Sequence, residues 1–201
     1  MSEKGDTADK IMRAAAVEFG AKGLAGARVD NIAARAGVNK AMIYYHFRSK
    51  EDLYQKIIEY HIDRMRKFYA EDLAEGEDIE KVFLDIANFF PSMFEEREIL
   101  VPIFLRELAM GGDRLRKTFG LLMADSPTVK LKKIISDAKK SGLFRDIDER
   151  QAIASFIGMN LWYLIALPLA KSILGVKNEE KFIEKRPQAV VDLFLNGIRA
   201  K

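Results

Sequence analysis

The sequence predicts an all-α protein built from an N-terminal three-helix domain and a C-terminal helical domain. Apolar residues recur at helical spacing in almost every segment, and we find no convincing segment with the alternating pattern of a β-strand. Glycines, prolines and short polar pairs separate these segments, as the ends of helices require. With 201 residues, 49% of them hydrophobic, the chain can bury a sizeable core.

Three helices are predicted in the first fifty residues. The first begins at Asp6 or Thr7, either of which can cap it, and ends near Gly23. The second and third are short, at 29–36 and about 40–47. Two short helices joined by a tight turn form a helix-turn-helix corner.

The turn of this corner covers residues 37–39. Gly37 can end the helix before it, and Asn39 can cap the helix after it. A fourth helix follows and runs to about residue 73. Ser49 caps this helix, with Asp52 three residues on in a capping-box arrangement.

The segment 74–77, with the sequence AEGE, is the best break in the chain, and we place the domain boundary there. The predicted domains are 1–54, which contains the helix-turn-helix, and 74–201, with the helix at about 50–73 linking them. Further helices are predicted at 78–95, 98–110, 114–123, 127–141, 148–174 and 185–200.

The third predicted helix carries side chains that core packing alone does not explain. We expect one apolar set to be buried between the short helices and the first helix: Ile32, Ala36, Val38, Ile43 and Phe47. The outer surface of the third helix then presents a second set: Lys40, Ala41, Met42, Tyr44, Tyr45 and His46. A helix with such a surface can enter the major groove of DNA.

The outer residues have chemistry suited to that groove. Lys40 can donate to guanine or to phosphate, and Ala41 and Met42 can contact thymine methyl groups. Residues 44–46 can donate to phosphates and so set the register of the protein on DNA. Lys50, at the start of the fourth helix, adds a cation aimed at a phosphate.

Charge is concentrated in the same region. Between residues 20 and 50, six basic residues accompany one acidic residue, a net charge of +5, whereas the rest of the chain sums to −2. A local basic patch indicates a nucleic-acid site. The alternative is an ordinary helical corner with a solvated basic face.

The stretch from Ile11 to Tyr54 resembles the N-terminal domain of TetR-type (tetracycline-repressor-like) transcriptional regulators. The matching residues are Ile11, Ala15, Phe19 and Gly23, then VDNIAARAGV from Val29, then IYYHFRSKEDLY from Ile43. The resemblance implies an all-α homodimer. Such a dimer binds a palindromic operator in double-stranded DNA and releases it when a small molecule enters the C-terminal domain.

The resemblance also implies roles for individual residues. It places base contacts at Lys40, Ala41, Met42 and Tyr44, and phosphate contacts at Tyr45, His46 and Lys50. The sequence departs from the family at Arg28, which stands where a Thr or Ser usually caps the second helix. Arg28 cannot cap in the same way, and can instead reach a phosphate directly. Arg28 and Asn39 complete the predicted DNA-binding set.

The C-terminal region is rich in large apolar residues, for which a plain helical core is the simplest explanation. Two features favour a ligand chamber: Met and Phe are abundant, and Pro91, Pro102 and Pro168 interrupt predicted helices, which leaves room between them. Arg106 is a candidate polar anchor, with a surface ion pair as the alternative. We expect a mostly apolar or amphipathic effector. The candidate ligand-binding residues are Asn88, Phe89, Met93, Phe104, Leu108, Phe119, Met123, Met159, Asn160, Trp162 and Tyr163.

The uncharged stretch 151–170 is long enough to cross a membrane. It contains Gln151, Ser155, Asn160 and Pro168, and no second hydrophobic span accompanies it, so we expect no membrane association. The resemblance instead assigns this helix and the last one to the dimer interface. The predicted seam on the last helix is Val190, Val191, Phe194, Leu195 and Ile198, which repeat at helical spacing.

An enzyme is the weaker interpretation. The two histidines, His46 and His61, form no metal-binding pattern, and there is no Gly-rich phosphate loop. We expect no catalytic site, no metal and no cofactor. We expect His61 on the surface of the fourth helix. The lack of cysteine and of an N-terminal signal fits the cytoplasm. An architectural DNA-binding dimer without an effector remains the main alternative to a ligand-responsive repressor.

Overall fold

The computed structural model describes residues 3–72, 78–92, 97–122 and 127–200. Within these ranges the backbone forms helices, connecting turns and an isolated antiparallel bridge between Phe144 and Arg199. The helices confirm the predicted all-α class. They are α1 (Glu3–Gly26), α2 (Val29–Ala36), α3 (Lys40–His46), α4 (Lys50–Asp72), α5 (Ile79–Ser92), α6 (Arg97–Ala109), α7 (Asp113–Leu122), α8 (Pro127–Lys140), α9 (Glu149–Leu174) and α10 (Glu179–Ile198).

The chain divides into two compact units, of which the first comprises residues 1–65 and 96–122. In this unit α1 packs against α2, α3 and α6, and α6 packs against α7. The rings of Phe19 and Tyr54 meet edge to face with centroids 4.9 Å apart, which joins α1 to α4. The core is formed by fully buried apolar side chains: Ile11, Ala15, Phe19, Ile32, Leu53, Ile58 and Ile62.

The second unit comprises residues 66–95 and 123–201. Its core contains three aromatic rings, from α5, α9 and α10. The centroids of Phe83, Phe156 and Phe194 lie 4.9 to 5.2 Å apart. The end of α10 is tied to the turn before α9, because the N–H of Arg145 donates to the carbonyl of Ile198 at 2.9 Å. These contacts fix the C-terminal helix within the unit.

The last helix begins earlier than the predicted start at residue 185. Asn178 caps it, with its side-chain oxygen accepting from the N–H of Lys181 at 2.8 Å. Glu179 and Glu180 lie in the first turn, where negative charge is favourable. Pro187 is buried inside the helix rather than at its start.

The predicted dimer seam on α10 was wrong. All five of its residues are buried within the second unit itself: Val190, Val191, Phe194, Leu195 and Ile198. Phe194 packs against Phe83 and Phe156 of the same chain, so this stripe belongs to the core of a single chain. The helical spacing of these apolar residues correctly predicted that this face of α10 is buried. It wrongly predicted that a second copy of the chain covers the face.

The long helix α9 is capped by Asp148, which accepts from the N–H groups of Arg150 and Gln151 at 2.8 and 3.1 Å. The helix leaves regular geometry at Ala166 (φ −106°, ψ 19°), two residues before Pro168, as a proline inside a helix predicts. By length and composition α9 could cross a membrane, but a helix in the core of a soluble protein passes the same test. Its buried side, which includes Phe156 and Tyr163, packs in the second unit.

The predicted domain boundary at 74–77 lies outside the described residues and stays a prediction. The two units differ from the predicted domains in one respect: α6 and α7 belong to the first unit together with the helix-turn-helix. The physical reason is the packing of α6 against α1. Helix α4 has residues in both units, since the division falls between Met65 and Arg66.

Candidate nucleic-acid interface

The turn between α2 and α3 has the geometry that the sequence predicts. Gly37 adopts a left-handed conformation (φ 69°, ψ 30°), which a residue with a Cβ adopts only with strain. Its N–H donates to the carbonyl of Ala34, and the N–H of Val38 donates to that of Ala33. Asn39 then caps α3 through a 3.0 Å bond from the N–H of Met42. Gly37 and Asn39 therefore fix where one helix ends and the next begins.

The buried side of this corner agrees largely with the prediction. Ile32, Ile43 and Phe47 are buried, and Ala36 and Val38 are partly buried. Ala33, which was not predicted, is also buried.

The outer side of α3 presents two adjacent tyrosines to solvent. Tyr44 is 49% exposed and Tyr45 is 62% exposed, although large aromatic side chains normally contribute to cores. Ala41 and Asn39 are also exposed, and Met42 is partly buried. The helix therefore buries Ile43 on one side and exposes its two tyrosines on the other.

Lys40 is held by a neighbouring carboxylate. Its Nζ lies 2.9 Å from a carboxylate oxygen of Asp30 on α2, and both side chains are largely exposed. The hydrogen bond that Lys40 donates to Asp30 raises the pKa of Lys40 above its ordinary value. A contact of Lys40 with a base or phosphate competes with this ion pair, and the competition is weak because both side chains are exposed.

Lys50 is partly buried at the start of α4, and its ammonium group already has partners. Its Nζ donates to the carbonyl of Ala27 at 3.1 Å and lies 3.5 Å from that of Ala25. For the predicted phosphate contact, Lys50 has to replace its contact with one of these carbonyls by a hydrogen bond to the phosphate. The ammonium group has three protons, so it can keep one carbonyl while it donates to a phosphate.

His46 is less accessible than predicted. Its side chain is partly buried, and the Nε2 atom is buried without a hydrogen-bond partner. Its ring packs edge to face against Tyr45, with centroids 5.2 Å apart, and tilted against Phe47. In this orientation a phosphate contact from His46 has to use the other ring nitrogen, Nδ1.

The start of α2 is organised by a residue that the sequence analysis missed. Arg28 is exposed at the N-cap position and makes no side-chain cap, as expected from its chemistry. Glu18 of α1 instead contacts two residues at the start of α2. Its buried carboxylate accepts from the side chain of Asn31 at 2.9 Å and from Lys22 at 2.8 Å, and lies 3.5 Å from the N–H of Arg28.

The position of Glu18 could have revealed this role. Glu18 lies seven residues after Ile11 and three after Ala15, on the apolar stripe of α1, where an acidic residue needs partners. Hydrogen bonds from Lys22 and Asn31 hold the pKa of this carboxyl below its ordinary value. The Arg28 side chain makes no cap and is exposed at the surface.

The predicted ligand-binding residues do not form one group. Met93 and Met123 lie outside the described residues, as does the side chain of Phe119. Phe104 and Leu108 lie on α6 in the first unit, where Leu108 is 60% exposed. These two residues therefore belong to a different unit from Phe89, Asn160 and Tyr163, and their role in ligand binding stays a prediction.

Two further predictions about the chamber need correction. Asn88 is exposed, and Trp162 is 44% exposed on the outer side of α9, so neither lines an interior site of the second unit. Phe89, Asn160 and Tyr163 are buried, and Met159 is partly buried. Both sides of α9 carry large apolar residues, so helical spacing alone could not tell the inner side from the outer.

The predicted anchor Arg106 lies on α6 in the first unit, where its guanidinium donates to the carbonyl of Ala21 at 3.0 Å. The next residue, Glu107, is buried and contacts Arg114 of α7 at 3.3 Å. The guanidinium of Arg114 lies over the ring of Tyr54, 5.8 Å from its centroid. Burial, with a smaller effect from Glu107, raises the pKa of Tyr54. Among the described residues, no cluster of acidic, histidine or cysteine side chains is placed to hold a metal ion.

A family model for bacterial regulatory proteins of the tetR family matches residues 11–57. The match covers most of α1, the helix-turn-helix and the first part of α4. Residues 11–57 therefore form a DNA-binding domain of the tetR type. This match confirms the resemblance, and the relatives of the chain are regulators of transcription.

Individual relatives agree with this assignment. The transcriptional repressor NicS of Pseudomonas putida is 30% identical over 141 residues, which are 70% of this chain and 66% of NicS, just under two thirds of its length. The transcriptional regulator RutR of Escherichia coli is 25% identical over 205 residues, which cover 95% of this chain and 90% of RutR. The structure of FadR, a fatty acid degradation regulator from Bacillus halodurans, superposes with a TM-score of 0.71. At 21% identity, with 100% of this chain and 99% of FadR covered, that similarity shows the fold alone.

Proposed function

We propose that this chain is a ligand-responsive repressor that binds a palindromic operator as a homodimer. The observation that carries the proposal is the exposure of Tyr44 and Tyr45 on a helix whose opposite side, at Ile43, is buried. Exposed aromatic hydroxyls beside Lys40 suit a helix that donates to bases and phosphates. The net charge of +5 between residues 20 and 50 supplies the attraction to DNA.

The dimer surface in this proposal is the outer side of α9. Trp162, Ile165, Leu169 and Ile173 follow one another at helical spacing and are 40 to 67% exposed. Leu193 adds an exposed apolar residue on α10. A contiguous apolar stripe of this kind indicates an interaction surface, and a second copy of the chain would cover it. The stripe replaces the buried α10 seam as the proposed interface.

Dimer symmetry would set the spacing of the DNA-reading helices. Two copies of α3 must lie about 34–36 Å apart to enter successive major grooves on one side of the duplex. Since α4 has residues in both units, it can carry a change in the second unit to the helix-turn-helix. A ligand that alters this spacing binds more tightly to the conformation that does not fit the operator. Operator DNA then lowers the affinity of the protein for the ligand by the same factor by which the ligand lowers its affinity for DNA.

The effector of this repressor would bind in the second unit, where Phe89, Asn160 and Tyr163 are buried. We propose a mostly apolar or amphipathic small molecule. The protein would act in the cytoplasm, where operator DNA is present.

In vitro selection of random duplex DNA on the purified protein tests the proposal. We expect an enriched palindrome whose half-sites are about 10 base pairs apart, bound by two protomers in sedimentation equilibrium. Selection that enriches no sequence, or a complex with one protomer on an asymmetric site, would contradict it. An architectural DNA-binding dimer would bind DNA without enriching a sequence and without a response to small molecules.

A further inference from the structure

The core of the second unit contains a polar group between α9 and α10. Asn160 and Tyr163 of α9 are fully buried. Arg186 of α10 is partly buried, and its guanidinium carbon lies 5.7 Å from the centroid of the Tyr163 ring. The surrounding core is otherwise largely apolar, so these polar side chains call for a physical explanation.

Arg186 is a partly buried cation, and its charge has no carboxylate partner among the described residues. One of its terminal nitrogens donates to the carbonyl of Met159 at 3.1 Å. Its Nε is buried and has no hydrogen-bond partner, and no carboxylate among the described residues pairs with its guanidinium. Removal from water lowers the pKa of Arg186, which again indicates a charge that lacks compensation.

Asn160 has the complementary deficiency. Its side-chain N–H donates to the carbonyl of Phe156 at 2.9 Å, within α9. Its Oδ1 is buried and has no donor. A buried amide oxygen without a donor destabilises the fold, as does an unused guanidinium N–H. The group therefore leaves one strong donor and one acceptor open.

The open acceptor lies on α9, in the same helical turn as the two groups that Arg186 of α10 contacts. Residue 163 follows residues 160 and 159 by three and four positions, so its side chain neighbours both on the helix surface. Arg186 contacts both ends of this set, through the carbonyl of Met159 and the ring of Tyr163. A single small group that accepts from Arg186 and donates to Asn160 would complete the site.

We propose that Arg186, Asn160 and Tyr163 bind the carboxylate of an organic acid that carries a hydroxyl group beside it. The carboxylate accepts from Arg186 Nε and compensates its charge, the neighbouring hydroxyl donates to Asn160 Oδ1, and the Tyr163 ring supports the guanidinium. The apolar body of the acid packs among the aromatic residues of the unit. This inference rests on the proposed function, since it names the chemical class of the effector.

Two hydroxy acids with different bodies, salicylate and 2-hydroxyoctanoate, serve as probes in thermal unfolding of the full-length protein. We expect at least one of them to raise Tm by several degrees at 10 mM. Benzoate and octanoate lack the hydroxyl and should bind about tenfold more weakly, because Asn160 stays unpaired. Salicylamide keeps a hydroxyl but lacks the charge and should give no shift.

The variant Arg186→Met removes the charge while keeping a long apolar stem. We expect it to abolish the Tm shift and to leave Tm of the ligand-free protein unchanged or higher, because an uncompensated buried charge is gone. Arg150→Met, at the exposed start of α9, is the matched control and should keep the full shift. A structural role for Arg186 predicts the opposite, a ligand-free Tm several degrees lower.

The site proposal is overturned if neither hydroxy acid raises Tm, or if the shift survives in Arg186→Met. The proposed function is measured separately, by anisotropy of the selected operator duplex with and without the probe. A probe that binds through Arg186 without changing operator affinity supports the site and contradicts the switch. Operator binding without any probe response supports the regulator and overturns this site.

Discussion

The guanidinium of Arg106 on α6 donates a hydrogen bond at 3.0 Å to the carbonyl of Ala21 near the end of α1. The same guanidinium lies beside Gly23, where an added Cβ would be 2.7 Å from its Nη1. Helix α6 is therefore fastened to the helix that supports the helix-turn-helix. A displacement of α6 would reach α1 through this contact.

Gly23→Ala tests this junction. Gly23 has φ 68° and ψ 173°, a conformation that residues with a Cβ essentially never adopt. We expect the free energy of unfolding in urea to fall by about 1–3 kcal/mol. The added methyl group should also displace Arg106 from Ala21. Gly120→Ala, where the added Cβ meets nothing within 4 Å, is the control and should be neutral or slightly stabilising. Equal stability of the Gly23 variant and wild type would refute the account of this junction.

Glu18→Gln tests the buried carboxylate that organises the start of α2. The substitution keeps the shape of the side chain but removes the charge that Lys22 and Asn31 stabilise. We expect the free energy of unfolding at pH 7 to fall by about 1–3 kcal/mol. The pKa of Glu18 is lower in the folded state, so its contribution is present above the unfolded value near 4.5 and is lost as pH falls through the folded pKa. Urea unfolding from pH 7 to pH 3 should show a smaller acid loss in the variant than in wild type. If the free energy of unfolding falls equally with pH in the variant and in wild type, the carboxylate of Glu18 does not stabilise the start of α2.

His61 should remain neutral well below the pH at which a free histidine ionises. Contrary to its predicted surface position, it is partly buried on α4, and burial, with a contribution from Arg64, lowers its pKa to about 4. The unfolded chain takes up the proton near pH 6.5 and the folded chain does not, so stability should fall between pH 6.5 and 4. Histidine NMR titration of wild type and His61→Gln assigns the signal. A pKa near 6.5 for His61 would show that the ring is solvated.

Asp30→Asn should strengthen DNA binding. The substitution releases Lys40, which is held at 2.9 Å, and removes a negative charge from the proposed DNA-facing side. We expect operator affinity to rise several-fold at 0.15 M salt. Because Asp30 lies in the first turn of α2, where negative charge is favourable, its loss should lower the free energy of unfolding by only a few tenths of a kcal/mol. Asp85→Asn makes the same change of charge at an ion pair with Lys81 in the second unit and is the control. If operator affinity rises equally in both variants, the rise comes from the change in net charge. The release of Lys40 then makes no contribution of its own.

The sequence predicted the local features of this fold and missed those that depend on distant residues. Asn39 and Ser49 cap their helices as expected, because a cap and its partner lie within three residues. The capping box differs in detail, since Asp52 accepts from the N–H of Arg48 rather than from that of Ser49. Both partners of such a cap lie within one short segment, so a single stretch of sequence is enough to predict it.

The errors have a common physical origin. Glu18 bonds across ten and thirteen residues, and Arg106 reaches a carbonyl 85 residues away, so neither partner is visible in a local pattern. Trp162 and Phe194 were assigned to the wrong environments, because apolar spacing marks a face without naming what covers it. The polar group at Arg186 was missed, because burial of a charge depends on the whole core.

Operator binding by Tyr44→Ala measures the central claim most directly. Tyr44 and Tyr60 are both 49% exposed, but Tyr44 lies on α3 and Tyr60 on α4, so Tyr60→Ala is a matched control for loss of an exposed tyrosine. With circular dichroism unchanged in both, anisotropy on the selected operator should show at least a tenfold loss for Tyr44→Ala and less than a twofold change for Tyr60→Ala. Wild-type affinity in Tyr44→Ala would contradict the assignment of α3 as the helix that reads DNA.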